Sequence, residues 1–348
     1  MKPGFEVPFH KMEGCGNDYV YVLLEDLAND ECRHEVLTNA PAIARQIADR
    51  HFGIGSDGLV LVGRESGHDA RMTMFNADGS RSAMCGNALR CIGRLLADEN
   101  AECDAFSIRT DDSAVDVHVA RAEGRRPTLI SVVLDHPKLM LDEIPFVPGD
   151  DARVRSEPTS ADDTLRPAEV EIDVADGCVR ASVLSFGNPH CVVFLDDPEN
   201  AWLRIGRQDN GAPDMTTLDI ERIGSEIERH AGFPDGVNVE FVIPAVRGRG
   251  PGPDPEGSLV LVQRTWERGS GETLACGSGA CATAVAAVAR RKVSQREPAI
   301  VQLRGGVLRI DVDRNVTMEG PARRAFSGTF TVRFGADDGY DGVVLSCD

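Results

Sequence analysis

Two stretches decide the fold: residues 84–91, MCGNALRC, and residues 275–282, ACGSGACA. Each is a Cys-Gly step, a small polar residue, and then a run of helical character, IGRLLA after the first and TAVAAVA after the second. Each follows a strand and a Gly-rich turn, MFNADGSRSAM in one case and TWERGSGETLA in the other. Further out, Gly16-Asn17-Asp18-Tyr19-Val20-Tyr21 resembles Gly187-Asn188-Pro189-His190-Cys191-Val192, and GSDGLVLV (55–62) resembles PDGVNVEFV (234–242). Three elements recur in the same order. That is a degenerate internal duplication, not a short-period solenoid. It predicts two similar α/β lobes, each offering the N-terminus of a helix that begins at a cysteine.

A chain of 348 residues has room for two domains and needs no disulfide staples. Its 56 acidic residues outnumber its 37 basic ones, a formal charge of −19. Nucleic-acid and polybasic membrane-surface binding both need clustered positive charge, so both are excluded as expectations. No run approaches the ~20 apolar residues of a membrane-spanning helix. The opening MKPGFEVPFHKMEG lacks an apolar signal-peptide core, so the cytoplasm is the expected compartment. In that compartment the ten cysteines are expected to be reduced. They show no C-x2-C pair and no finger-like spacing to histidine, so no metal site is expected. Cys15, Cys32, Cys103, Cys178, Cys191 and Cys347 read as structural, and Cys91 and Cys281, one turn into each helix, as core-facing.

YVYVLL, GLVLVG, FSIRT, AVDVHVAR, GVNVEFVI and LVLVQRTWERG read as strands. A helix is predicted over 38–50, with Thr38 or Asn39 as its cap and Pro41 in its first turn, and another over 216–231. Residues 142–168 are polar and rich in Pro and Asp, and read as a linker or insertion. Residues 204–216, 244–257 and those past 335 read as solvated loops.

A helix N-terminus presents unpaired N–H groups and a positive dipole end. It binds carboxylates, and it favours the thiolate of a cysteine placed there. The glycine after each cysteine lets a ligand approach the backbone. Two such ends facing one another suit removal of an α-proton from one face of a carbon and its return to the other. Pyridoxal phosphate commonly supports that chemistry through a Schiff-base lysine. The chain has four lysines, Lys2, Lys11, Lys138 and Lys292, and none lies in the Gly-rich motifs. No cofactor is therefore expected. GSGACA (277–282) fits G-x-G-x-x-A, but no convincing strand precedes it, so a dinucleotide site is not expected.

Taken together, GCGNDYVYV, GIGSDGLVLV, FNADGSRSAMCGNALRC, FGNPHCVVF, GVNVEF and RTWERGSGETLACGSGAC resemble the diaminopimelate epimerase family, in order, from about residue 9 to residue 286. The resemblance implies an α+β fold of two pseudo-symmetric lobes, each a mostly antiparallel sheet or barrel wrapped around a central helix, with the site in the cleft. It implies lobes over 1–130 and 131–328, the last strand (about 329–348) returning to the first. It implies a homodimer that acts without metal or cofactor on a small amino acid, converting LL- to meso-2,6-diaminopimelate in lysine and peptidoglycan precursor synthesis. Cys85 and Cys276 match the family's thiol/thiolate pair. Gly86, Asn87, Gly277 and Ser278 match the groups that hold the α-carboxylate. Asn17, Asn76, Asn188 and Asn238 match polar substrate contacts, and Arg268 the partner of the distal carboxylate, for which a guanidinium fork is suited. Glu267 and His190 match residues beside the reacting centre. After the GIGSDG turn some relatives carry a Gln that contacts substrate, where this chain has Gly58.

The residues alone leave other readings open. Asn17, Asn76, Asn188 and Asn238 lie in turns, where asparagine is common for backbone reasons. Proline-racemase-like enzymes also pair two cysteines, but with a His after the first Cys-Gly, whereas a histidine racemase of the same family would use the same helix ends. So would a redox pair formed by Cys85 and Cys276, or a binding module without activity.

Overall fold

The computed structural model describes residues 4–121, 129–158, 165–207, 209, 211, 213–246, 258–334 and 340–345. The chain divides into two compact units, Met1–Val132 with Gly320–Asp348, and Val133–Glu319.

In the first unit, strand Phe5–Gly14 pairs antiparallel with Asn17–Leu23 and, on its other edge, with Arg323–Phe334. Asn17–Leu23 then lies parallel to Gly58–Glu65. A parallel pair needs a crossover, and helix α1 (Asp30–Ala48) occupies it. Gly58–Glu65 turns back antiparallel into His68–Asn76. That strand is parallel to Ala105–Arg109, and the crossover is helix α2 (Gly86–Glu99).

The second unit repeats the series. Ala168–Val174, Gly177–Ser185 and Pro189–Phe194 form antiparallel neighbours. Pro189–Phe194 is parallel to Asn238–Val246 across helix α3 (Ile220–Glu228). Asn238–Val246 turns back into Leu259–Glu267, which is parallel to Ala299–Gln302 across helix α4 (Gly277–Ala289). The duplication legible in the motifs is thus a duplication of topology. In each unit a parallel crossover, a hairpin and a second crossover follow one another, and the second crossover helix starts at the Cys-Gly step.

The two kinds of helix differ in what surrounds them. α1 buries Val36, Ala40, Ile43, Ala44 and Ile47, a 3.6-period stripe on one face. α3 does the same with Ile220, Ile223 and Ile227. α4 is buried nearly all round, against strands Pro189–Phe194, Asn238–Val246, Ala299–Gln302 and Val307–Val312. Its sequence GSGACATAVAAVA holds only small and β-branched residues, because strands close in from several sides leave no room for longer ones. α2 likewise packs on Phe5–Gly14, Ala105–Arg109 and Ala114–Ala120.

Several sequence expectations need correction. The helix expected over 38–50 begins at Asp30, capped by Asn29, whose side chain accepts from the Cys32 N–H at 2.9 Å. Pro41 sits inside it, not in its first turn. The helix expected over 216–231 is shorter, Ile220–Glu228, and is capped by Asp219. The stretch 142–168 is no solvated linker where it is described. Ile144, Phe146 and Ala152 join the second unit's core, and Phe146 meets Phe233 edge-on with ring centroids 5.2 Å apart. Strand Ala152–Ser156 pairs there with Ala168–Val174. Residues 204–216 contain a short hairpin, Gly206–Arg207 with Pro213–Asp214, and bury Met215. Strand Tyr340–Leu345 pairs with Arg323–Phe334, so the tail past 335 is partly sheet. Residues 247–257 of the loop expected over 244–257 lie outside the described residues, as does Cys347.

Candidate active site

In the first unit Cys85 is the N-cap of α2, in extended backbone (φ −147°, ψ 116°). Its thiol points to Asn17 Oδ1 at 3.8 Å, and the same oxygen accepts from Asn87 Nδ2 at 3.2 Å. Asn17 is held in turn by Asp57, whose Oδ2 accepts from Asn17 Nδ2 at 2.7 Å and from the Asp18 N–H at 2.9 Å. Arg50 bridges Asp18 and Asp57, at 2.8 and 2.9 Å, and Lys11 pairs with Asp18 at 2.5 Å. Burial raises the Asp57 carboxyl against the bond from the Asp18 N–H. For Asp18, burial works upward but the bonds from Arg50 and Lys11 outweigh it, and its carboxyl is lowered. This ion network fixes the Asn17 amide, so its carbonyl is presented to the helix end. Asn76 gives its amide to Ser80 Oγ at 3.0 Å, and the strand register sets it opposite Gly58.

In the second unit Cys276 is the N-cap of α4 (φ −115°, ψ 112°), and its Sγ accepts from the Gly279 N–H at 3.4 Å. Ser278 Oγ is 3.6 Å from the same sulfur and accepts from Asn188 Nδ2 at 3.3 Å. Asn188 Oδ1 meets His190 Nε2 at 3.1 Å, and His190 Nδ1 meets Glu240 Oε1 at 2.9 Å. Asn238 ties two segments together. Its Nδ2 donates to Pro189 O at 3.1 Å, and its Oδ1 accepts from the Arg268 N–H at 3.0 Å. Arg268 Nη1 donates to Asp235 O at 3.0 Å. Glu267 Oε1 accepts from Thr273 Oγ1 at 2.6 Å.

The helix ends therefore pair each sulfur with polar groups, but the two sulfurs differ. Cys85 is half-buried, whereas Cys276 is 5% exposed. Sequence reasoning expects the helix end to lower the thiol pKa. For Cys276 the outcome is the reverse. Burial raises it well above the ordinary value, the charges of Glu267 and Glu240 add to that, and the bonds from Ser278 and the Gly279 N–H oppose it. A thiolate of raised pKa is a stronger base, which suits a weakly acidic carbon acid. Cys91 and Cys281 are buried beneath, and burial pushes the Cys91 thiol up to about 12. Among the described residues no three His, Cys, Asp or Glu side chains are grouped to hold a metal, and no helix is long and apolar enough to cross a membrane.

Comparison with known proteins matches the sequence profile described as "Diaminopimelate epimerase" over residues 9–139 and 182–325. The chain belongs to the diaminopimelate epimerase family. A diaminopimelate epimerase of Geobacillus kaustophilus is 36% identical over 94% of this chain and 97% of its own length. One from Acetivibrio thermocellus is 37% identical over 92% and 97%. Among solved structures, a probable proline racemase from Agrobacterium radiobacter superposes with a TM-score of 0.56, covering 92% of each chain at 14% identity. At that identity it speaks for the fold alone, two α+β lobes of the diaminopimelate epimerase kind.

Within this family member, two side-chain carboxyls that hydrogen-bond to candidate site residues carry no role in the sequence reading, Asp57 and Glu240. Glu240 carried a signal: it is a charge inside NVEFV, a strand otherwise apolar on both sides. Asp57 sits in a GSDG turn and carried none beyond turn chemistry. Gly58 admits no glutamine on this backbone. Its φ is +156°, and a Cβ there would lie 2.0 Å from Phe75 O. A substrate contact at this position has no side chain to make it.

Proposed function

We propose that this chain interconverts LL- and meso-2,6-diaminopimelate, with Cys85 and Cys276 acting on opposite faces of one α-carbon. The observation that carries the reading is the repeated Cys-capped helix, one per unit, within a chain of this family. One sulfur, as thiolate, takes the α-proton, and the other, as thiol, delivers its own to the far face. One C–H bond breaks, one forms, and the two cysteines exchange protonation states. Charge that develops on the α-carboxylate in between is met by the free N–H groups at Gly86, Asn87, Gly277 and Ser278. Asn17, Asn76, Asn188 and Asn238 frame the bound molecule or hold the groups that do. Arg268 pairs with the distal carboxylate, and Glu267 with His190 lies beside the ammonium group. The acid, the base and the electrostatics all come from the chain's own residues. The protein acts in the cytoplasm as a homodimer, in lysine and peptidoglycan precursor synthesis.

The deciding experiment is proton NMR of LL-diaminopimelate in D2O with reduced protein and no added cofactor. Loss of the α-proton signal together with appearance of the meso isomer is expected. A reduced protein that exchanges no α-proton sinks the assignment of substrate.

A further inference from the structure

Glu240 is a carboxylate with no exposure, in a parallel strand pair beneath the start of α4. The first turn of α4 closes on it so tightly that a Cβ at Gly279 would lie 2.4 Å from Glu240 Oε1. Isolating a charge in this way is costly, and cores rarely keep one unless it is paired. Its Oε1 lies 2.9 Å from His190 Nδ1, and the His190 side chain is itself fully buried. Its Oε2 has no hydrogen-bond partner among the described residues. The other ring nitrogen, Nε2, lies 3.1 Å from Asn188 Oδ1. Nε2 faces an amide oxygen, which only accepts, so the ring donates from Nε2, and one proton joins Nδ1 to the Glu240 carboxyl. The direction of every bond beyond it is then set. Asn188, its carbonyl taken by the ring, turns its Nδ2 to Ser278 Oγ, 3.3 Å away. Ser278, now an acceptor from Asn188, has its hydroxyl proton left for Cys276 Sγ, 3.6 Å away.

We propose that Glu240 is a positioning residue for the Cys276 half of the reaction, acting through an oriented line of hydrogen bonds by way of His190, Asn188 and Ser278 to the sulfur. Glu240 touches neither substrate nor the reacting atoms. It fixes the ring, the ring fixes the amide, and the amide decides which way the serine hydroxyl points. A hydroxyl proton aimed at Sγ favours the sulfur as thiolate, against the burial and the carboxylates of Glu240 and Glu267 that disfavour it. The first unit differs at the two positions that begin this line. The register position corresponding to Glu240 is occupied there by Val60, and that corresponding to His190 by Tyr19. The amide at the Cys85 end is instead held by Asp57. The two thiols are thus supported by different chemistry despite the duplicated fold.

The inference rests on the role proposed above for Cys276, and its test separates the two. Glu240→Leu removes the acceptor at similar volume, and Glu240→Gln keeps an amide oxygen for the ring. Two signals are read, the His190 ring N–H protons by NMR without substrate, and kcat and KM with it. The wild type should show the Nε2 proton and the proton of the Nδ1–Glu240 bond protected from exchange. Glu240→Leu should lose the Nδ1 proton, lower kcat by about 10- to 100-fold, as expected for a misplaced catalytic group, and leave KM nearly unchanged. Glu240→Gln should recover the ring signal and most of kcat. In a Ser278→Ala background, Glu240→Leu should cost little more, because the line is already cut. Wild-type kcat in Glu240→Leu overturns the proposal. So does equal loss in Glu240→Gln, or full additivity with Ser278→Ala. Failure of the wild type to turn over diaminopimelate would instead strike the proposed function, and the ring signals would still report on the line.

Discussion

Asn238 offers a direct test of whether a site residue acts on substrate or on the scaffold. Its amide is 4% exposed, and both of its ends are taken up within the protein. Nδ2 donates to Pro189 O at 3.1 Å, one residue before His190, and Oδ1 accepts from the Arg268 N–H at 3.0 Å. Asn238→Ala removes both bonds and leaves a backbone acceptor and a backbone donor to be satisfied some other way. Two net hydrogen bonds and part of the cost of the orphaned groups amount to about 2–4 kcal/mol. Urea unfolding, with the slope m unchanged, should show that loss directly. Activity should fall through both kcat and KM, because the tie sets the backbone beneath Arg268 and Glu267 as well as the strand that carries His190. Asn238→Asp separates the two bonds. It keeps an acceptor for Arg268 but sets a carboxylate against the Pro189 carbonyl, so it should recover little stability. The reasoning is refuted if Asn238→Ala unfolds within about 0.5 kcal/mol of the wild type, the range of an ordinary surface change. Loss of kcat/KM at unchanged stability would instead make Asn238 a direct substrate contact.

Cys85→Ala and Cys276→Ala should each remove a proton-transfer group and lower epimerisation by at least about 10^2- to 10^4-fold; full activity in either variant would sink the two-thiol reading. Gly58→Ala and Gly58→Gln should both cost about 2–4 kcal/mol, measured as a fall in melting temperature, since the clash with Phe75 O belongs to the Cβ and not to the amide beyond it. A Gly58→Ala protein as stable as the wild type would refute that. The Asp173 carboxyl is held down to about 2, first by the two bonds from Arg153 and then by Cys178. Because the folded value lies below the ordinary 3.8, the pair stabilises the fold above pH 3.8, and that contribution disappears as pH falls through about 2. In Arg153→Met the Asp173 carbon resonance should move up from about 2 toward 3.8, stopping short by what Cys178 still contributes, and the stability gap from the wild type should narrow toward pH 2; a carboxyl still titrating near 2 would mean that Arg153 is not the cause.

What the sequence disclosed and what it hid follow from the range of the interactions involved. The Cys-Gly helix starts were legible because a helix end is a local event. A cap, a glycine and a following run of small residues lie within a few positions, and α4 in GSGACATAVAAVA declares that it is enclosed by having no large side chain anywhere. The start of α1 was equally local, yet it was misread. Pro41 looked like a first-turn proline, while the real signal, Asn29 ahead of Asp30 and Glu31, lay a dozen residues upstream as an N-cap with an acidic first turn. Proline inside a helix forgoes a single bond, and a stripe of five buried residues from Val36 to Ile47 outweighs it. The stretch after residue 141 failed for a different reason. Phe146 and Ile144 enter the core one at a time between prolines and aspartates, so no period betrays them, and the cluster they join is built largely from distant residues, Phe233 against Phe146 among them.

The support of each thiol was the least legible part, because it depends on partners far apart in the chain. Asn17 reads Asp57 forty positions on, and His190 reads Glu240 fifty positions on. In both cases a parallel strand pair brings the partners together. A parallel pair aligns residues on either side of a crossover helix without any short-range trace, so its register cannot be read from spacing within a motif. The repeated topology places a carboxylate behind the amide in each unit, yet at different positions, directly from the turn before the strand in one and through His190 from inside the strand in the other. A fold duplicated in its backbone can in this way diverge in its electrostatics: both helices keep the Cys-Gly start, while the groups behind each sulfur differ.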